Sequence, residues 1–144
     1  NILFGAKSEI TENILLDKIV RELKFDLLFK NNKNLDSNLS DSHQTVSGGQ
    51  KQVIGTARAL YRGGDILVMD EATSAMDAKL EKSIFEAISN FGFSNLVYIT
   101  NRPNLLKEFD TIYVFNDGTL EDFGTFEALK ERNDFLLSLL KDKG

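Results

Sequence analysis

Asp70 and Glu71 end the apolar run Ile66-Leu67-Val68-Met69. Two adjacent carboxylates repel each other unless a cation or a polar substrate sits beside them. An Asp so placed can hold Mg²⁺, often through water, because Mg²⁺ takes few carboxylates and keeps several waters. The neighbouring Glu can orient or deprotonate a water. Upstream, Ser47-Gly48-Gly49-Gln50 forms a second device. Ser is a good helix N-cap, and two glycines leave the first turn uncovered by side chains. The free N–H groups and positive dipole end of a helix start suit an anion such as a phosphate. A third device, Ser74 to Asp77, is a short polar loop ending in another carboxylate. Each also has a plain reading alone: a capped helix after a loop, or a strand end meeting solvent.

The elements that must position these residues follow from spacing. Val53, Ile54, Ala57 and Leu60 recur every three or four residues, which predicts a helix opened by Ser47. Arg62-Gly63-Gly64-Asp65 breaks it. The apolar run from Ile66 has the length of a strand buried on both faces. That puts Asp70 and Glu71 at a strand's C-terminal end, where open α/β sheets bind ligands. Ala78 to Phe91 reads as an amphipathic helix, with Leu80, Ile84, Ile88 and Phe91 opposite Lys79, Glu81, Lys82 and Glu86. Gly92 closes it, and Leu96 to Thr100 is expected to be a second buried strand. Strand, helix, strand predicts a βαβ unit with parallel pairing.

Toward the N-terminus, Ile10 to Leu28 reads as one helix started near Thr11-Glu12, with Ile14, Ile19, Leu23 and Leu27 on one face. The polar residues 31–45 read as a loop, and the single His, His43, as a solvated loop residue. Beyond the second strand, Pro103 to Phe109 suggests a short helix. Thr111 to Phe115 and Thr119 to Phe123 flank Asn116-Asp117-Gly118, a hairpin signal. Gly124-Thr125 should cap a helix from about Phe126 to Glu131, and Asp134 a last one from Phe135 to Lys141. Packing rather than chemistry is expected of these.

At 144 residues the chain is one domain by length. A formal net charge of −5 argues against a general nucleic-acid surface, and no nucleic-acid partner is expected. Without Cys there is neither a disulfide framework nor a thiolate metal site. No apolar run is long enough to span a bilayer, so a membrane role has to come through a partner.

Together, at this spacing, the devices resemble the ABC-type ATPase family. Val46 to Gln50, VSGGQ, is similar to its LSGGQ signature, and Gln52 with Thr56 to Leu60 matches its signature helix. ILVMDE resembles the Walker B strand, and Ser74 to Asp77, SAMD, the D-loop. EATSAMD is closer to exporters than to importers. The resemblance implies an α/β fold: a P-loop NTPase-like parallel sheet core, a helical signature subdomain and a C-terminal β-hairpin. Residues 1–62 would form the helical subdomain and signature helix, and residues 63–144 the Walker B, D-loop, switch region and hairpin. Asn1 to Gly5, NILFG, looks like a segment well inside such a domain, so the chain resembles its C-terminal part. Gly5-Ala6-Lys7-Ser8 is not a phosphate loop, since the G-x-x-x-x-G-K-[ST] pattern is not met.

Carried over by position, Asp70 would serve Mg²⁺ and Glu71 would be the general base in ATP hydrolysis. Ser47, Gly48, Gly49 and Gln50 would close on the γ-phosphate of an ATP held by a second ABC ATPase domain, in a head-to-tail dimer. The carboxylates and the helix start would thus lie apart, each facing a different ATP. Asp77 would lie at the dimer interface. The family's switch His is here Asn101, which donates a hydrogen bond but carries no positive charge at neutral pH. Val53 stands where the family usually has Arg. The helical subdomain would meet a transmembrane domain, at the cytoplasmic face of the membrane. Phe25, Leu27, Leu28 and Phe29 read either as that coupling surface or as local core. Lacking a phosphate loop, the stretch alone is expected to bind ATP very weakly and not to turn it over. Two rival readings are a non-catalytic partner lending its signature to another subunit, and a soluble ABC ATPase of DNA repair or translation. Acidic charge and EATSAMD speak against the second.

Overall fold

The computed structural model describes Ile2 and residues 10–29 and 46–141. The expectations for Gly5 to Ser8, for the 31–45 loop with His43, and for the side chains of Thr11, Glu12 and Leu27 lie outside what is described. The fold is α/β. Asn1–Ile99 form one compact unit and Thr100–Gly144 another.

In the first unit, α1 (Ile10–Glu22) and α2 (Phe25–Leu28) replace the single expected helix. Lys24 takes a left-handed φ of 55°, which ends one helix and lets the chain re-enter the next. Ile19, Leu23 and Phe25 are buried, whereas Ile14 is 70% exposed. Ile14 lies five residues before Ile19, about 140° round a 3.6-residue helix, so it does not share that face. Phe25 stacks on Phe29 with ring centroids 5.0 Å apart, which favours the local-core reading.

α3 (Gly48–Arg62) buries Val53, Ile54, Ala57 and Leu60, as its spacing predicts. It stops at Gly63, whose φ of 66° costs no Cβ strain. β1 (Ile66–Asp70) pairs in parallel with β2 (Asn95–Ile99), Ile66 opposite Asn95 and Asp70 opposite Ile99, with α4 (Ala78–Ser89) between them in the chain. Burial on both faces is not observed. Leu67 and Met69 are core, but Ile66, Val68, Val97 and Ile99 are about half exposed or more. Among the described residues the core forms on one face only, where Leu67 and Met69 meet residues of α1, α3 and α4. A second correction concerns Glu81, expected on the solvated side of α4. It is 1% exposed. Its spacing of three and seven from Ile84 and Ile88 puts it on the apolar face.

The second unit holds a 3₁₀ turn (Pro103–Glu108), then β3 (Ile112–Asn116) and β4 (Thr119–Gly124) as an antiparallel hairpin. Asp117 and Gly118 both have positive φ, 46° and 74°, as a tight hairpin turn with the twist of its strands requires. α5 (Phe126–Arg132) is capped by Thr125, whose hydroxyl accepts from the Ala128 amide. α6 (Asp134–Lys141) is capped by Asn133, not Asp134: the buried Asn133 Oδ1 accepts from the Leu136 N–H at 2.7 Å. Ile112, Val114, Leu129 and Leu136 make this unit's core.

Candidate functional site

Parallel pairing carries β1 to Asp70, and there the strand gives way to a turn. Glu71 keeps one further sheet bond, its N–H donating to the Ile99 carbonyl at 2.9 Å, yet its φ is 44°. A left-handed conformation is uncommon for a residue with a Cβ and persists where surroundings enforce it. Asp70 and Glu71 are both exposed. The chain then turns twice on itself, Ser74 N–H to Glu71 C=O at 3.0 Å and Met76 N–H to Thr73 C=O at 2.9 Å. It enters α4 through Asp77, whose Oδ1 accepts from the Leu80 N–H at 2.8 Å. Asp77 therefore caps a helix with its carboxylate.

The start of α3 is a reciprocal cap. The Gln50 amide donates to Ser47 Oγ at 3.2 Å, and the Ser47 amide to Gln50 Oε1 at 2.9 Å. Gln50 Nε2 also reaches the Leu28 carbonyl at 2.6 Å. Ser47 and Gly48 remain exposed. A Cβ on Gly48 would come within 3.2 Å of Ala75 Cβ, and one on Gly49 within 3.2 Å of the Ala75 carbonyl oxygen. These two glycines thus allow close approach of the loop that follows the carboxylates. The helix start meets the loop at Ala75, a contact that was not expected and that does not involve the carboxylates of Asp70 and Glu71. Asn101 is exposed in the second unit, beside a turn in which the Arg102 N–H donates to Thr100 Oγ1 at 2.9 Å.

As a metal site, Asp70 and Glu71 supply two adjacent carboxylates at an exposed strand end. Among the described residues no group of three or more His, Cys, Asp or Glu converges. A sparse set of this kind suits Mg²⁺, which binds through one or two carboxylates and completes its shell with water and phosphate oxygens.

The family model described as ABC transporter matches residues 5–74. Those residues belong to the ABC transporter family. Ser47 to Gln50, Asp70 and Glu71 fall inside the match, and Asp77 and Asn101 outside it. An ATP-dependent lipid A-core flippase of Cupriavidus pinatubonensis is 34% identical over 145 residues, 96% of this chain and 24% of the flippase. The mating factor M secretion protein mam1 of Schizosaccharomyces pombe is 31% identical over 97% of the chain and 10% of its own length. The ABC multidrug transporter MDR1 of Cryptococcus neoformans is 34% identical over 90% of the chain and 9% of its own length. The chain thus spans a quarter or less of these ABC relatives. In fold it is similar to a bacterial Atm1-family ABC exporter with ATP bound, at a TM-score of 0.83 and 24% identity, covering 99% of this chain and 25% of that one. Among the described residues, no helix is long and apolar enough to cross a membrane.

The sequence alone did not point to two groups around this site. Gln52 entered only as a match to the signature helix, yet its side chain reaches Glu71, Ser74 and Ala75. Buried Thr73 and Glu81 and half-buried Tyr98 form a knot at the loop: Thr73 Oγ1 donates to Glu81 Oε1 at 2.6 Å and Tyr98 OH donates to the same oxygen at 3.1 Å. The two hydroxyls also touch each other. The spacing of Glu81 with Ile84 and Ile88 was the available signal for the knot.

Proposed function

We propose that this stretch acts within the ATP-binding domain of an exporter-type ABC transporter, at the cytoplasmic face of the membrane. It would work attached to a transmembrane domain and paired head to tail with a second ABC ATPase domain. The observation that carries this reading is the exposed pair Asp70–Glu71 at the end of a parallel strand, in one unit with the exposed, glycine-opened start of α3. The residues would divide the work. Asp70 would hold Mg²⁺, which supplies charge neutralisation on phosphate oxygens when bound. Glu71 would take a proton from the attacking water. The α3 start would present its N–H groups to the γ-phosphate of the ATP seated on the partner domain. Asp77, capping α4, would hold the loop that lies at that interface.

Asn101 bears on the rate. An amide there can donate a hydrogen bond but cannot carry a proton between groups at neutral pH. Absence of such a group slows proton transfer by about 10²- to 10⁴-fold. The full-length protein should therefore bind ATP with Mg²⁺ and hydrolyse it slowly. Asn101→His should raise turnover about 100-fold or more, the lower bound for general acid–base help. No gain in turnover would count against this role of position 101. The same residue favours one second reading: a domain whose own site idles while its α3 start serves an active partner. ATPase assays of the full-length protein with and without such a partner separate the two, since the idle domain gains turnover only through the partner's carboxylates.

A further inference from the structure

Resting on the nucleotide reading above, we propose that Gln52 is a positioning residue that locks the α3 start and the carboxylate loop into one body. Both ends of its amide are used. Nε2 donates to the Glu71 carbonyl at 3.2 Å and to Ser74 Oγ at 2.9 Å. Oε1 accepts from the Ala75 N–H at 3.0 Å. A backbone N–H only donates and a carbonyl only accepts, so one orientation of the amide satisfies all three. The three partners lie on successive parts of the turn that leaves β1. One of them is the carbonyl of Glu71, whose left-handed φ of 44° needs support from its surroundings. Gln52 thus holds the backbone that aims the Glu71 carboxylate. Its own helix carries Gly48 and Gly49, which pack on Ala75 of the same turn. A displacement of the α3 start, such as a γ-phosphate docking there would cause, is passed by Gln52 to Glu71 one turn away. Glu71 would serve a different nucleotide, so Gln52 links the two half-sites through one side chain.

The test uses the full-length protein and two readouts. In Gln52→Ala, amide hydrogen exchange at Ala75 should rise roughly five- to tenfold, as loss of one hydrogen bond predicts, with exchange in the middle of α3 and β1 unchanged. kcat for ATP should fall about 10- to 100-fold with KM held within about threefold, the pattern of a misaimed group rather than lost binding. Gln52→Glu keeps an acceptor for the Ala75 N–H but sets an oxygen against the Glu71 carbonyl. It should leave Ala75 protected and lower kcat at least as far. Unchanged exchange at Ala75 in Gln52→Ala would overturn the lock. Unchanged kcat in both variants, with wild-type turnover present, would overturn the positioning role. A full-length protein that neither binds nor hydrolyses ATP would sink the nucleotide reading instead, and with it the half-site link, while exchange at Ala75 still decides the lock.

Discussion

Tyr98→Phe removes a single oxygen from the knot at the carboxylate loop, and its cost can be worked from the structure. Glu81 is 1% exposed and Thr73 3%. Tyr98 donates one of the two hydrogen bonds described at Glu81 Oε1, at 3.1 Å. The ring itself stays in Tyr98→Phe, so its edge contact with Phe85, centroids 6.4 Å apart, is kept and packing changes little. What is lost is a donor to a buried carboxyl group. The Thr73 bond to the same oxygen remains, so losing this one hydrogen bond costs about 0.5–1.5 kcal/mol. For a chain of this size each kcal/mol lowers Tm by roughly 2–4 °C. Equilibrium urea unfolding reads the change directly. Tyr113→Phe is the control, since Tyr113 is 60% exposed and its substitution should fall within about 0.5 kcal/mol of zero. In a Glu81→Leu background the cost of Tyr98→Phe should drop by about half or more, because the acceptor is gone. A Tyr98→Phe effect no larger than the control, or one that is unchanged by Glu81→Leu, would refute the reasoning.

Other outcomes follow from the same packing and capping. Ile84→Ala removes a fully buried side chain and should cost about 2–5 kcal/mol, measured by urea unfolding. Asn133→Ala takes away the buried cap of α6 and should cost about 1–2 kcal/mol, with the loss concentrated in amide exchange at Leu136. Asp122 accepts from Arg132 Nε at 3.0 Å and Nη2 at 2.9 Å, and this guanidinium holds its carboxyl below the ordinary range. A carboxyl depressed by folding stabilises above its unfolded pKa and loses that contribution as pH falls through the folded one. Acid unfolding of the hairpin unit should therefore be less steep in Asp122→Asn, and the difference should vanish at the most acidic end of the titration.

What was legible in the sequence was whatever rested on local rules. Ser47 before two glycines marked a helix start, the N-D-G turn marked the hairpin, and strand–helix–strand spacing called for the parallel pair. Each of those signals is contained in a few neighbouring residues. The misses came from contacts over distance. Whether Ile66 and Val68 are covered depends on what packs on the sheet's second face, which alternation within five residues cannot tell. The break at Lys24 needs a left-handed residue that is not Gly, so composition gives no warning. Gln52 is polar and helical, and only the fold brings the turn after β1 under it. Asn133 outcompeted Asp134 as the cap by one position, a difference no capping preference separates. Of the candidate site, the residue types were readable and the touching of the α3 start with the Ala75 turn was not.

In the proposed arrangement the α3 start of one copy and the Asp70–Glu71 pair of another serve the same ATP. Mixing two full-length variants tests it most directly, with Mg²⁺-dependent ATP retention as the readout. Ser47→Glu sets a carboxylate at the exposed α3 start against phosphate and leaves the Ala75 turn untouched, while Asp70→Asn spoils the metal ligand. Each variant alone should retain almost no ATP. An equal mixture should recover about a quarter of wild-type retention, because half of randomly formed two-fold pairs contain one intact composite site of two. A mixture that stays as empty as its parts, or a Ser47→Glu protein that retains ATP normally by itself, would contradict this arrangement.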